Sequence, residues 1–195
     1  MSNLVSYSES SFMLPVSQNW QDIHSLVYQV AMNGEDRKGQ RDFIFSVDGD
    51  NRLMGDQLLV TVRGGELPTE AQPSVYGLDV TQGQTISLTL ILSLLTSINK
   101  PDSRKKTTIV QSAPYDDWFA KTMLRAGLKV ARFTFSDQPK KVAQKGKSMI
   151  FLPSSRFTFT AEIVDLSLFK KAWIEGIGAK RGYGFGMMEI VKDEL

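Results

Sequence analysis

The side chains suited to acid–base chemistry are few in this chain of 195 residues, which has a single histidine, His24, and no cysteine. An unperturbed imidazole changes its charge between about pH 5 and 8, so His24 is the natural candidate for moving protons near neutral pH. The lack of cysteine excludes a thiol nucleophile, a disulfide scaffold and cysteine-ligated zinc or iron–sulfur clusters. A lone histidine can equally be a half-buried side chain with a local partner, and its type alone leaves both interpretations open.

The carboxylates do not form a convincing metal site. Asp48, Asp50 and Asp56 are close in sequence, but a calcium-binding loop would need a ligand at Arg52 and a glycine at Leu53. A turn between two strands explains the first two aspartates better. The sequence also lacks a histidine–carboxylate cluster with metal spacing, so we expect no metal and no other cofactor.

The most specific pattern is the glycine-rich segment from Gly176 to Gly186, which has five glycines in eleven positions and two adjacent cations, Lys180 and Arg181. It is not a nucleotide motif. Walker A ends in Gly-Lys-Ser/Thr, and the dinucleotide motif joins a strand to a following helix, whereas this segment is expected to follow a helix and precede a strand. Glycines let backbone N–H groups approach a phosphate closely, and a simple connector is the alternative.

Positive charge is concentrated in the middle of the chain. Residues 1–99 carry a net charge of −6 and residues 100–147 a net charge of +8, although the whole chain carries only +2. Such a concentration is typical of a site for a polyanion, and a solvated surface is the alternative. Eight of the twelve cations in residues 100–147 lie in one loop and around one predicted hairpin: Lys100, Arg104, Lys105 and Lys106, then Lys140, Lys141, Lys145 and Lys147.

The elements that must position these groups form two α+β halves. The first half is predicted to hold strands at 12–16, 43–47 and 57–63, with an amphipathic helix from the N-cap Asn19 to about Met32. The second is predicted to hold strands at 85–96, 129–135, 148–152, 157–165 and 187–191, with helices at 116–126 and 167–175. The turn-rich segment 64–84 separates them, which gives domains 1–84 and 85–195. Both halves suggest the β-α-β-β-α-β order of a ferredoxin-like fold, although the second helix of the first half is not evident.

The first helix is expected to hold His24 at the edge of a cleft. On a helical wheel the histidine lies at the rim of the apolar stripe, beside Trp20 and Tyr28. Phe157 and Phe159 alternate along a predicted strand, and we expect them in the core rather than as stacking platforms for bases. The longest apolar run, residues 86–98, is too short and polar to span a bilayer, and we expect a cytoplasmic protein with no membrane partner.

Gly176-Ile177-Gly178 followed by Gly184-Phe185-Gly186 resembles the glycine-rich loop of the RAMP superfamily of CRISPR proteins. Together with Arg41-Asp42-Phe43-Ile44-Phe45 after the first helix and the Gly146-Lys147 hairpin, the order of features is similar to that of the CasE endoribonucleases over nearly the whole chain. The resemblance implies two tandem ferredoxin-like folds. It also implies metal-independent cleavage of CRISPR precursor RNA within the repeat hairpin by attack of a 2′-hydroxyl. The implied partners are the repeat RNA, retained after cleavage, and other subunits of a Cascade-type effector complex.

The resemblance also assigns roles to residues. It places the catalytic histidine at His24, but the tyrosine expected three residues earlier is Gln21 here. A glutamine amide can bind a phosphate oxygen or orient a hydroxyl but cannot transfer a proton, and Tyr28, one turn further on, is the alternative source of a phenol. The residues expected to bind RNA are the eight cations named above together with Arg156, Gly176, Gly178, Lys180, Arg181, Gly184 and Gly186.

Two other function classes remain open at the level of sequence. The first is a non-catalytic RNA-binding or scaffold subunit of a CRISPR effector complex, which the change to Gln21 favours. The second is an unrelated small-molecule enzyme whose glycine-rich loop holds a phosphate, and the missing nucleotide motifs weigh against it.

Overall fold

The computed structural model describes residues 4–16, 19–32, 42–48, 57–68, 71–99 and 106–191. Its first half contains one helix and four antiparallel strands in the sheet order β2-β3-β1-β4. These elements are β1 (Leu4–Pro15), α1 (Trp20–Ala31), β2 (Phe43–Asp48), β3 (Gln57–Gly64) and β4 (Ser74–Asp79).

The second half repeats the arrangement, with a sheet in the order β12-β5-β11-β8 and two additional hairpins, β6–β7 and β9–β10. Its elements are β5 (Thr85–Ser93), β6 (Leu95–Asn99), β7 (Lys106–Val110), α2 (Asp116–Leu124), β8 (Leu128–Asp137), β9 (Lys141–Lys145), β10 (Ser148–Leu152), β11 (Ser154–Ile163), α3 (Leu166–Glu175) and β12 (Glu189–Ile190). A 3₁₀ turn, Arg181–Tyr183, lies within the glycine-rich segment.

Both sheets confirm the predicted ferredoxin-like fold, because in each half the first strand lies between the third and fourth strands of the β-α-β-β-α-β order. In the first half no α-helix occurs among the described residues between β3 and β4. The predicted boundary at residue 84 falls between the end of β4 at Asp79 and the start of β5 at Thr85. The boundary itself stays a prediction.

Local features of the sequence explain why residues 20–31 form helix α1. The side chain of Asn19 accepts a hydrogen bond from Gln21 N at 3.1 Å and caps the helix. The apolar residues of α1 recur at helical spacing and are buried against β2 and β3 in one core. Those buried helix residues are Trp20, Ile23, Val27 and Ala31.

Several strand predictions differ from the structure. The strand predicted over 85–96 is interrupted at Leu94, whose N–H leaves the sheet and donates to Pro153 O at 2.9 Å. The chain then continues as β6, whose hairpin with β7 was not predicted. Strand β4 lies at a sheet edge and five of its six residues are exposed, so it lacks the alternation that marks a half-buried strand. The last strand, predicted over 187–191, has only the two residues of β12.

Arg63 joins the two halves. Its guanidinium is buried, donates to Met188 O at 2.7 Å and pairs with the Glu9 carboxylate at 3.0 Å. The same group lies 4.1 Å from the Trp173 ring centroid and 5.0 Å from that of Tyr7. Burial raises the pKa of the Tyr7 hydroxyl above its ordinary value, and the Arg63 charge partly opposes this shift. One buried cation therefore links the second half to the face of the first sheet opposite α1.

Phe157 and Phe159 are buried in the second core, as predicted. Among the helices described, none combines the length and the apolar character needed to cross a membrane.

Candidate active site

The glycine-rich segment crosses from the second half onto the first. Gly176, Gly178, Gly184 and Gly186 all have φ between 76° and 90°, a region that favours glycine. At Gly186 the close approach is most severe, because a Cβ would lie 1.9 Å from Ile177 O. At Gly184 it would lie 3.0 Å from the Phe45 ring. The following residue, Phe185, is fully buried in the first core, so the segment is anchored there.

His24 lies where this segment meets α1. Its Nδ1 is 2.5 Å from Gly182 O. Because a carbonyl only accepts, Nδ1 carries the proton and the neutral ring has its lone pair on Nε2. The half-buried imidazole is flanked by Tyr28, at 4.3 Å between ring centroids, and by Tyr183, at 5.2 Å. The structure therefore fixes the orientation and tautomer of the ring.

Two more contacts tie α1 to the same turn. Trp20 Nε1 donates to Tyr183 O at 2.6 Å, and the Tyr183 hydroxyl donates to Gln21 Oε1 at 3.0 Å. Tyr183 was not among the predicted site residues. Its position inside the glycine-rich segment was visible, but its partner lies 162 residues away and no local pattern reveals that pairing.

Tyr28, the predicted alternative phenol, packs its ring against His24 and also against Phe43, whose ring centroid is 5.1 Å away. Gln21, Tyr28 and Tyr183 are all half-buried. Gln21, Tyr28 and His24 lie on one helix, and Tyr183 contacts both Gln21 and His24. The catalytic roles of these residues stay predictions.

The basic hairpin β9–β10 is attached to the start of α1. Asn19 Oδ1 accepts from Gln144 N at 2.8 Å, and Asn19 Nδ2 donates to Gln144 O at 3.3 Å. The Lys141 ammonium lies 4.1 Å from the Trp20 ring centroid, a cation–π contact one turn before His24. The remaining predicted cations of this hairpin are exposed: Lys140, Lys145 and Lys147.

Three other predicted RNA-binding side chains, Lys180, Arg181 and Arg156, are half-buried, unlike the exposed lysines of the hairpin. Lys180 is half-buried, with φ of 58°. Arg181 donates to Glu175 O at 2.8 Å and to Gly176 O at 3.3 Å, so its guanidinium braces the segment from within. Arg156 is half-buried on β11, where it pairs in register with Ile91 and Ser136.

Among the four predicted glycines, Gly178 is exposed, whereas Gly176, Gly184 and Gly186 are buried against the protein itself. Their observed role is to permit close packing, and the contact with RNA predicted for them stays a prediction. Lys100, Arg104 and Lys105 lie outside the described residues, and Lys106 is described only as the first backbone position of β7.

The aspartates dismissed as a metal site are only partly described, since Asp48 ends β2 while Asp50 and Asp56 lie outside the described residues. Among the histidine, aspartate and glutamate side chains that the structure describes, no three are grouped so that they could hold a metal ion.

One protein family and several solved structures are similar to this chain. The family model described as CRISPR associated protein matches residues 8–192. No curated protein matches the chain by sequence. Among solved structures, Cse3 from Thermus thermophilus bound to an RNA representing a pre-cleavage complex is 11% identical, with a TM-score of 0.72 over 96% of this chain and 99% of that chain. Cas6e from Escherichia coli K-12 is 13% identical, with a TM-score of 0.65 over 95% and 98%.

A chain of a CRISPR RNA-guided surveillance complex is similar at 14% identity, with a TM-score of 0.65 over 94% of this chain and 98% of that chain. At these identities the likeness shows the fold, which is the two-domain ferredoxin-like fold found above. The family model covers nearly the whole chain. The protein therefore belongs to the CRISPR associated protein family.

Proposed function

We propose that this protein is an endoribonuclease that cleaves CRISPR precursor RNA within the repeat hairpin. The observation that carries the proposal is the His24 ring, held at the junction of the two halves with its Nδ1–H on Gly182 O. That bond leaves Nε2 as the basic nitrogen of the neutral ring, beside a hairpin rich in lysine. The family membership and the RNA-bound structural relatives support the choice of substrate.

The proposed reaction needs only proton transfer and charge stabilisation. Nε2 of His24 accepts the proton of a 2′-hydroxyl while the 2′-oxygen attacks the adjacent phosphorus, and the P–O5′ bond breaks. The imidazolium then returns the proton to the leaving 5′-oxygen. The products are a 2′,3′-cyclic phosphate and a 5′-hydroxyl, so atoms and charge balance without a metal ion.

Tyr183 is the phenol best placed to assist this step. Its hydroxyl is anchored by Gln21, the helix position at which the family resemblance expects a tyrosine, and its ring lies beside the imidazole. In the proposed mechanism this hydroxyl gives up its hydrogen bond to Gln21 Oε1 when RNA binds, and it donates its single proton to a non-bridging phosphate oxygen as negative charge develops there. Before RNA binds, Gln21 holds the hydroxyl in place, and Tyr28 supports the imidazole through ring packing.

RNA binding is assigned to the β9–β10 hairpin, because Asn19 and Lys141 attach it to the helix that carries His24. Its exposed lysines would neutralise phosphates of the stem, and A-form RNA offers its backbone more readily than its base edges. Retention of the cleaved RNA and assembly with other effector subunits in the cytoplasm form part of the proposal. They are supported by the similarity to a chain of a surveillance complex.

The test is incubation of the purified protein with a labelled CRISPR repeat RNA in EDTA. Cleavage at one position, giving a 2′,3′-cyclic phosphate, is expected. His24→Ala should reduce the cleavage rate about 100- to 10,000-fold while RNA affinity stays within a few-fold. Gln29→Ala, which changes an exposed residue on the same helix, is the matched control. Undiminished cleavage by His24→Ala would remove the imidazole from the mechanism, and dependence on added metal would overturn metal independence.

A second pair of variants separates the two phenols. Tyr183→Phe keeps the ring beside His24 and removes the hydroxyl bound to Gln21, so it should slow cleavage more than Tyr28→Phe. The reverse order would transfer the role to Tyr28. Binding of the repeat without any cleavage by the native protein would instead support the non-catalytic RNA-binding subunit, which the glutamine at position 21 favours.

A further inference from the structure

A groove of about 570 Å³ is lined in part by the glycine-rich segment. Its other lining residues come from α2, α3 and the start of β6. The residues that matter for binding are Trp118 from α2 and Arg125 directly after it, Lys171 and Glu175 from α3, and Gly178 and Arg181 from the segment.

The charged side chains of this groove are mostly cationic. Arg125 and Lys171 are both exposed, and both line the groove. The single carboxylate, Glu175, lies 4.0 Å from the Arg181 guanidinium and partly neutralises it. Two cations, Arg125 and Lys171, therefore remain to attract negative charge into the groove.

Trp118 gives the groove an aromatic wall. The indole is half-buried and lies 6.0 Å from the Tyr115 ring centroid and 6.1 Å from that of Phe157, so aromatic packing holds it in place. Gly178, exposed and without a side chain, leaves the backbone open at the other end. An aromatic face combined with cations is the usual means of holding unpaired bases and their phosphates.

The groove and the candidate active site share the glycine-rich segment. Arg181 lines the groove, while the next residue, Gly182, presents its carbonyl oxygen to His24. Adjacent Cα atoms are about 3.8 Å apart, so these two contacts are made by neighbouring residues of the segment. An RNA strand bound at His24 would have to cross this segment to reach the groove.

We propose that the groove binds single-stranded RNA that flanks the repeat hairpin. One base stacks on Trp118, and neighbouring phosphates pair with Arg125 and Lys171. The proposal rests on the proposed function, since it requires RNA at His24, and it adds a second binding site for an unpaired part of the same substrate. An acidic peptide could pair with the same cations, but it has no base to stack on the Trp118 indole.

The experiment compares the affinity of three RNAs: the repeat hairpin alone, the hairpin with a 5′ single-stranded extension, and the hairpin with a 3′ extension. All measurements use His24→Ala protein so that no RNA is cut. We expect one extension to strengthen binding about tenfold, the contribution of one stacked base with its phosphates. Trp118→Leu keeps an apolar side chain on α2, and it should remove most of this gain.

The charge variant Arg125→Glu/Lys171→Glu should also remove the gain. Loss of two phosphate contacts should lower the slope of log affinity against log salt for the extended RNA by about 1.4, at about 0.7 per contact. The matched control is Lys121→Glu/Lys129→Glu, which reverses two exposed charges outside the groove. This control should keep the preference for the extended RNA.

The proposal is overturned if neither extension strengthens binding, or if the gain survives in both groove variants. It is also overturned if the groove variants weaken binding of the bare hairpin as much as that of the extended RNA. Failure of the proposed function is a separate result, since it appears as an intact hairpin after incubation with the native protein.

Discussion

Arg63 connects the two halves of the molecule through charge, and its replacement gives a quantitative test of how they are joined. In Arg63→Met the apolar stem is retained while the guanidinium is lost. Met188 O then loses a donor at 2.7 Å, the Glu9 carboxylate loses its partner, and the Trp173 ring loses a cation 4.1 Å from its centroid. Because these groups come from both halves, the change acts on their junction.

The size of the effect can be worked out contact by contact. The bond between a charged donor and the buried carbonyl contributes about 1.5 to 3 kcal/mol, and the desolvated cation–π contact with Trp173 about 1 to 2 kcal/mol. Glu9 keeps 24% of its side-chain surface exposed and is rehydrated easily, so its share is at most about 1 kcal/mol. The sum is a loss of about 2.5 to 6 kcal/mol in the free energy of unfolding, a large part of the stability of a typical domain.

Urea denaturation followed by circular dichroism measures this loss by linear extrapolation. Glu9→Gln, which leaves the bond to Met188 and the aromatic contacts in place, should cost about 1 kcal/mol or less. Arg63→Lys should lie between the two, because an ammonium keeps the charge but lacks the planar fork that reaches Glu9 and Met188 together. A loss below about 1 kcal/mol for Arg63→Met, or one equal to that of Glu9→Gln, would refute the reasoning.

Two further predictions concern the attachment of the glycine-rich segment and the hairpin. Gly186→Ala should lower the melting temperature far more than Gly83→Ala, because both glycines have φ near 90° but only at Gly186 would a Cβ meet a backbone oxygen, at 1.9 Å; equal losses would contradict this account. Asn19→Ala should cost about 1 kcal/mol through the lost helix cap and should also weaken repeat RNA binding by releasing Gln144. Asn19→Ser retains a capping oxygen and should affect RNA binding more than stability, and an RNA affinity unchanged in both variants would show that the hairpin is not held in place by residue 19.

The sequence was sufficient to predict those elements whose signals lie in residues close together along the chain. The N-cap at Asn19 and the apolar spacing of Ile23 and Val27 determine α1, and the same spacing places His24 at the rim of the buried stripe. The ferredoxin-like order could be predicted in the second half because its strand and helix patterns follow one another along the chain, whereas in the first half only the first strand, the helix and the next two strands were evident. Strand β4 was not predicted, because it lies at a sheet edge and its residues do not alternate between buried and exposed positions.

The site itself could be predicted only in part, because its contacts join distant residues. Nothing near His24 in sequence indicates that its partner is the carbonyl of Gly182, and nothing near Gln21 indicates the Tyr183 hydroxyl. The glycines show the same limit. Their number suggested a cradle for phosphates, whereas the structure shows that Gly184 and Gly186 are required by close packing against Phe45 and Ile177.

The separation of 158 residues along the chain between His24 and Gly182 has a consequence for the synthesis of this protein. A growing polypeptide exposes α1 long before the ribosome has translated the turn that orients the imidazole. Until that turn emerges and docks, the histidine has neither its fixed tautomer nor the neighbouring phenol of Tyr183, so an unfinished chain lacks the ordered centre. Under the proposed function, competence to cleave RNA would therefore be acquired late in synthesis, when this long-range contact closes.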